Sequence, residues 1–154
     1  MIVYYLDASA WVKRYCQELG TIWLQSLFAQ NLTFACATLG LVEVVATLAR
    51  KCKARQISQP QLQQKTQELE ADWQNFIQVQ LTAEAVNRSK GLAVSLALRG
   101  ADAVHLASAF LLQSHLSQGD QLILIASDRE LKVAAQSSSL TVLDPEEEEA
   151  KSSQ

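Results

Sequence analysis

Leu122, Ile123, Leu124, Ile125 and Ala126 form an unbroken apolar run. A strand with no polar side is covered on both faces, the situation of an inner strand in a parallel sheet flanked by helices. The run ends abruptly at Ser127-Asp128, and a similar run over residues 2–6 ends as abruptly at Asp7. Residues 32–37 and 77–81 read as further strands, and 141–143 as a last edge strand. Segments with helical character lie between them. Strand and helix therefore alternate, and the expected class is α/β: a three-layer α/β/α sandwich with a central, mainly parallel sheet.

The helices have recognisable starts. One is expected over 8–18, with Ser9 near its cap and Gly20 as its stop, and a second runs to about residue 30 with Thr21 as cap. Thr38 can cap a helix over 39–55, with Val42, Val45, Ala46 and Ala49 as its core stripe. That helix ends in the basic run 50–55, where cations suit the dipole. Ser58-Gln59-Pro60-Gln61 places Ser at the cap, Pro in the first turn and Gln at the capping-box position of a polar helix reaching residue 75. Its apolar stripe is Leu62, Leu69, Trp73 and Phe76. Thr82 and Glu84 open a helix to about 98, and 129–136 is a short helix after Asp128. Trp11, Trp23 and Trp73 fall on helical stripes and read as core or interface residues.

Hydrophobic residues make up 49% and charged residues 19% of the 154, the balance of one globular domain with a sizeable core. Of sixteen acids and thirteen bases, Glu146 to Glu149 and Lys151 lie at the C-terminus, so residues 1–144 carry twelve of each. Total charge then argues neither for nor against nucleic acid. The domain is expected over 1–144, followed by an acidic disordered tail over 145–154. No run approaches the roughly 18 apolar residues of a membrane span, and the N-terminus lacks the basic lead of a secretory signal. Cys16, Cys36 and Cys52 are odd in number and without zinc spacing, as in reduced packing residues of a cytoplasmic protein.

Chemistry concentrates at the strand ends, where open α/β sheets place their sites. Asp7 and Asp128 follow the two apolar strands, and Glu43 lies about one turn into the helix after the second strand. Gly100 breaks the pattern before a helix over 101–112 that is apolar nearly all round and so buried. Asp102 nevertheless sits in its first turn, with His105 one turn further on. A buried carboxylate needs a partner or a cation. No Lys or Arg lies close in sequence to all four acids. Four carboxylates form a hard, oxygen-only donor set, which suits Mg²⁺ or Mn²⁺ rather than zinc. That chemistry is phosphodiester hydrolysis by metal-activated water. His105 is weighed as a structural partner of a carboxylate rather than a catalytic base.

Leu6-Asp7-Ala8-Ser9-Ala10 with Lys13, Glu43 in a helix with basic residues downstream, Arg99-Gly100-Ala101-Asp102-Ala103-Val104-His105-Leu106-Ala107, and Ser127-Asp128-Arg129-Glu130-Leu131 follow one another in an order that resembles PIN-domain proteins of the VapC-like toxin type. The resemblance covers residues 1 to about 144. It implies a Mg²⁺-dependent endoribonuclease with Asp7, Glu43, Asp102 and Asp128 as catalytic and metal-holding acids, and Ser9 and Ser127 as hydroxyls orienting carboxylates or water. It also implies a small antitoxin partner and a homodimer. Such a partner would insert an apolar helix and an Arg or Lys near the acids. Lys13, Arg14, Arg50 and Arg99 are the candidate RNA phosphate contacts. The four-glutamate tail stands outside the family pattern. Two rival readings are a non-catalytic PIN-like module that binds RNA or protein, and a receiver-like phosphoacceptor. The intact acidic quartet argues against the first. The single Asp after the first strand, with Ser127-Asp128 at the late strand end, argues against the second.

Overall fold

The computed structural model describes residues 1–153. Five strands, β1 (Ile2–Leu6), β2 (Thr33–Ala37), β3 (Ile77–Val79), β4 (Gln121–Ile125) and β5 (Thr141–Leu143), form one sheet in the order β3-β2-β1-β4-β5. Every neighbouring pair is parallel. The chain builds outward from β1 in one direction and then returns to its other side. The crevice between β1 and β4 is therefore the topological switch point where α/β sheets place ligands.

The period of two along each strand sorts the side chains into two cores. Leu6, Phe34, Cys36 and Ile125 face one layer, made by α1 (Ala8–Trp11), α2 (Thr21–Phe28), α3 (Thr38–Lys53) and α4 (Gln59–Trp73). Aromatic rings fill it, with Trp11 stacked on Phe76 at 4.7 Å and Phe28 on Phe34 at 4.3 Å. Val3, Tyr5, Ala35, Leu122 and Leu124 face the opposite core, closed by residues around α5 (Ala83–Leu96), α6 (Gly100–His115) and α7 (Arg129–Ser137). This is the expected three-layer sandwich. The Ser58 capping box closes reciprocally with Gln61. The three cysteines are free. No single described helix is long and apolar enough to cross a membrane.

Several local expectations are corrected. The helix over 8–18 is only the four-residue α1 followed by a 3₁₀ turn, Val12–Arg14. Asp7, not Ser9, caps it, because the extended backbone at residue 7 aims its carboxylate at the Ala10 N–H (2.9 Å). Thr21 does not cap α2. Its hydroxyl is turned back to the Cys16 carbonyl. Thr38 is the first residue of α3 rather than its cap. The core stripe of α3 is Gly40, Val44 and Leu48, while Val42 and Ala49 face outward. Gly40 explains the rotation. A methyl group there would run into Cys36 Sγ and lie 3.2 Å from His105 Cε1, so α3 seats its one bare position against those two side chains. Gly100 does not interrupt a helix. It is the first residue of α6, which extends to His115.

The largest correction is the C-terminus. Residues 145–152, expected to be disordered, form α8 (Pro145–Ser152), capped by Asp144 and begun by a proline. Three of its four glutamates have partners from elsewhere in the fold, and Glu148 pairs with Lys151 within the helix. Glu149 accepts the N–H groups of Gly20, Ile22 and, at 3.4 Å, Trp23, so the C-terminal helix caps α2. Glu146 pairs with Lys13, and Glu147 with Lys132. The glutamates also sit near the N-terminus of their own helix, where its dipole favours them. Of the expected tail, Gln154 alone lies outside the described residues.

Candidate active site

Four elements deliver the four acids to one place. Asp7 follows β1 and Asp128 follows β4, so the two flank the switch point. Asp102 comes from the first turn of α6 and Glu43 from the second turn of α3. All four line a single cavity of about 240 Å³, together with Ser9, Arg99 and His105. The sheet end is tied together beneath it. The Asp7 N–H donates to the Ile125 carbonyl (3.1 Å), and the Ser127 N–H approaches Ser9 Oγ at 3.4 Å.

Asp7 is almost completely buried. Ser9 donates its hydroxyl to Oδ2 (2.7 Å) and Ala10 its N–H to Oδ1. Burial nonetheless pushes the Asp7 pKa up to about 6, against the lowering pull of His105, Ser9 and Ala10. Burial and the neighbouring Asp128 carboxylate raise Asp102 as well, while Arg99 and His105 oppose the rise. Asp128 caps α7 through Oδ2, which accepts the Leu131 N–H (3.0 Å), and its Oδ1 accepts Arg99 Nη2 at 2.7 Å. Arg99 Nε donates to Asp102 Oδ2 (3.1 Å). One guanidinium thus joins two carboxylates that lie 26 positions apart in the chain.

His105 is buried at the cavity floor. Its Nε2 donates to Glu43 Oε1 at 2.6 Å, and its Nδ1 shares a hydrogen bond with the Tyr5 hydroxyl at 2.9 Å. Tyr5 is held in turn by the Ala37 N–H (3.1 Å). Burial works against a charge on His105, but Tyr5, Cys36 and Glu43 outweigh it and hold the imidazole pKa well above its ordinary range. His105 therefore aims Glu43, and Tyr5 aims His105. Tyr5 gave no signal in the sequence, where it is one more apolar strand residue.

The remaining candidates separate. Ser127 turns its hydroxyl away from the quartet, to Asp144 Oδ1 (3.1 Å). Asp144 is buried, accepts Lys132 Nζ at 2.6 Å, and supports the loop that carries Asp128. The expected domain boundary after residue 144 falls on this same Asp144-Pro145 pair, although Asp followed by Pro is also a helix-start signal. A broader groove of about 640 Å³ runs on from Ser9, Glu43 and Asp128 past Val42, Thr47 and Arg50 to Lys13 and Glu146. Lys13 is buried there and committed to Glu18 and Glu146. Arg14 is engaged by Asp72 and lies over the Phe28 ring at 4.3 Å. Arg50 lines the groove with its side chain exposed, bonded to Thr47. Arg99 lines the acidic cavity itself.

Among the described residues no three His, Cys, Asp or Glu side chains are close enough together to hold an ion as they stand. The donor set still fits a hard divalent cation. It is all carboxylate oxygen and it is partly dehydrated, the burial of Asp7 and Asp102 being what raises their pKa values.

No family model matches the chain. It is 34% identical over 150 residues to Ribonuclease VapC45 of Mycobacterium tuberculosis (strain CDC 1551 / Oshkosh), covering 94% of this chain and all of the relative. The same figures hold for Ribonuclease VapC49 of strain ATCC 25618 / H37Rv. Its backbone matches VapBC2 from Rickettsia felis, solved bound to a DNA fragment from its promoter, with a TM-score of 0.63 at 15% identity over 92% of this chain and 98% of that one. With that extent of identity over nearly its whole length, and a sheet of the same kind, the chain belongs to the PIN-domain family of VapC ribonucleases.

Proposed function

We propose that this protein is a Mg²⁺-dependent endoribonuclease and the toxin of a type II toxin–antitoxin pair, with Asp7, Glu43, Asp102 and Asp128 as its acidic centre. The observation that carries the reading is the convergence of these four acids in one cavity at the β1/β4 crevice, in a chain related over 94% of its length to ribonucleases. Mn²⁺ would fit the same oxygens.

Asp7 and Asp102, the two buried carboxyls, would hold the cation, with Asp128 and Glu43 facing the same space. Bound there, Mg²⁺ would supply Lewis-acid charge and a hydroxide at neutral pH. The protein's own part is orientation. Ser9 and the Ala10 N–H hold the Asp7 carboxylate in place. His105 fixes Glu43, and the α7 start fixes Asp128. Arg50, exposed along the adjoining groove, is the cation best placed for an RNA phosphate beyond the scissile one. The antitoxin assignment is supported by the VapBC assembly among the structural neighbours. An apolar antitoxin helix finds the exposed Val42 on the groove wall. The homodimer assignment finds two exposed apolar side chains, Leu96 and Val133, along a groove on the opposite layer. Three free cysteines suit a cytoplasmic setting.

The test is cleavage of a mixed RNA pool by purified protein with Mg²⁺ or Mn²⁺, with chelator, and with Asp102→Asn. Cleavage that requires the metal and disappears in the variant, leaving 5′ phosphate and 3′ hydroxyl ends, is the expected result. Cleavage by Asp102→Asn at the wild-type rate would remove Asp102 from the centre. A wild-type protein that binds RNA but never cuts it would favour the non-catalytic module.

A further inference from the structure

We propose that Arg99 is the resident counter-ion of the acidic centre, displaced from Asp102 and Asp128 when a divalent cation enters, and thereby released to take a phosphodiester oxygen of the RNA. This rests on the metal-nuclease reading above and adds to it a coupling between metal and substrate.

The geometry is specific. Arg99 uses two different nitrogens on two different carboxylates, Nε on Asp102 at 3.1 Å and Nη2 on Asp128 at 2.7 Å. Those carboxylates are mostly covered, with side-chain exposures of 11% and 26%, while the Arg99 side chain is 66% exposed. The guanidinium therefore reaches in from solvent over the cavity mouth and is not a packed core group. On Asp128 the other oxygen is already committed to the Leu131 N–H, so Arg99 and the helix start between them occupy both oxygens. On Asp7 both oxygens are held by residues of α1. An entering cation thus finds Asp102 Oδ1 without a hydrogen-bond partner among the described residues, and the Arg99 charge already on Asp102 Oδ2 and Asp128 Oδ1 beside it.

Like charges a few ångströms apart repel, and a divalent ion doubles the effect relative to a monovalent one. The ion and the guanidinium then compete for the same carboxylates. Giving way costs the guanidinium little, because its side chain is 66% exposed and water can take the place of the carboxylates, whose charge the entering ion then meets. Its backbone need not move. Leu98 beside it is buried, and the Arg99 carbonyl accepts the Ala103 N–H in the first turn of α6. Only the side chain changes partner. Once freed it remains at the cavity mouth, and its planar fork matches the oxygens of a phosphodiester. By linkage, an RNA phosphate that captures Arg99 strengthens metal binding by the same factor that metal strengthens RNA binding.

The experiment is Mn²⁺ binding, measured without RNA by the loss of the free-ion EPR signal, in wild type, Arg99→Gln and Asp102→Asn. Circular dichroism checks that each variant is folded. Arg99→Gln should bind Mn²⁺ about five- to tenfold more tightly than wild type, the scale of one exposed charge-pair network. Asp102→Asn should lose the ion. Adding a short non-cleavable oligonucleotide should tighten Mn²⁺ binding in wild type and leave Arg99→Gln unchanged. If wild type binds Mn²⁺ and Arg99→Gln binds it equally or more weakly, Arg99 is a static strut and the exchange is wrong while the nuclease reading stands. If neither protein binds Mn²⁺ at millimolar concentration, the metal reading fails and the exchange fails with it.

Discussion

Replacing Asp7 by Asn removes a buried charge while keeping the other roles of that position. The carbonyl oxygen of Asn can accept the Ala10 N–H, and Asn caps helices as well as Asp does. The amide can donate to Ser9 Oγ, whose hydroxyl now accepts, so no buried polar atom is orphaned. What changes is ionisation. Burial lifts the Asp7 pKa from 3.8 to about 6. A carboxyl raised on folding takes up a proton between those two values, so the folded state loses stability as pH climbs through that window and carries the full penalty above it. The penalty is about 3 kcal/mol at pH 7.5 and about half of that at pH 5. Asp7→Asn should therefore be more stable than wild type in chelator, by about 3 kcal/mol at pH 7.5, or about 6–12 °C in Tm for a chain of this length. The gain should shrink steadily toward pH 4. Urea denaturation from pH 4.5 to 7.5 measures it. A variant that is less stable than wild type at pH 7.5, or a gain that does not change with pH, would refute the burial argument. The same variant should be inactive, which would place the acidic centre among sites that trade stability for function.

Other perturbations follow from the same contacts. Asp144→Ala strands Lys132, a largely covered ammonium left with only Glu147, and should cost about 2–4 kcal/mol in urea denaturation; adding Lys132→Met should recover much of the loss. Gly40→Ala gains about 1 kcal/mol of helix propensity but drives a methyl into Cys36 Sγ, so overpacking wins and the net loss should be about 1–2 kcal/mol, relieved by a second change, Cys36→Ala. Glu149→Ala uncaps α2 from across the fold, and the Gly20 and Ile22 amides should exchange with solvent faster while the amides of β1 and β4 do not change.

Much of the scaffold was legible locally. Residues 122–126 and most of 2–6 are apolar because β1 and β4 are largely covered on both faces, and that pattern announces a parallel sheet before any contact is known. The Ser58 cap and the Thr82 cap are written within four residues of the helices they start. Asp7, Asp102 and Asp128 were visible because each stands where an apolar element ends or begins, and Glu43 because it lies beside the apolar stripe about one turn into its helix.

The rest was set by contacts between residues far apart in the chain, on which local spacing carries no information. Glu43 meets His105 across 62 positions, Arg99 meets Asp128 across 29, and Lys13 meets Glu146 across 133. The acidic C-terminus illustrates the difference most clearly. Read alone, four consecutive glutamates repel one another and predict disorder. Within the fold they find Lys13, Lys132 and the bare N–H groups of α2, and the same charges that oppose order in isolation hold α8 against the domain. Backbone pattern and burial decide which segments become strands and helices. Which charges neutralise which is decided only when the sheet order and the rotation of each helix bring them within a few ångströms, because electrostatic and hydrogen-bond energies depend on distance in space and not on distance along the chain.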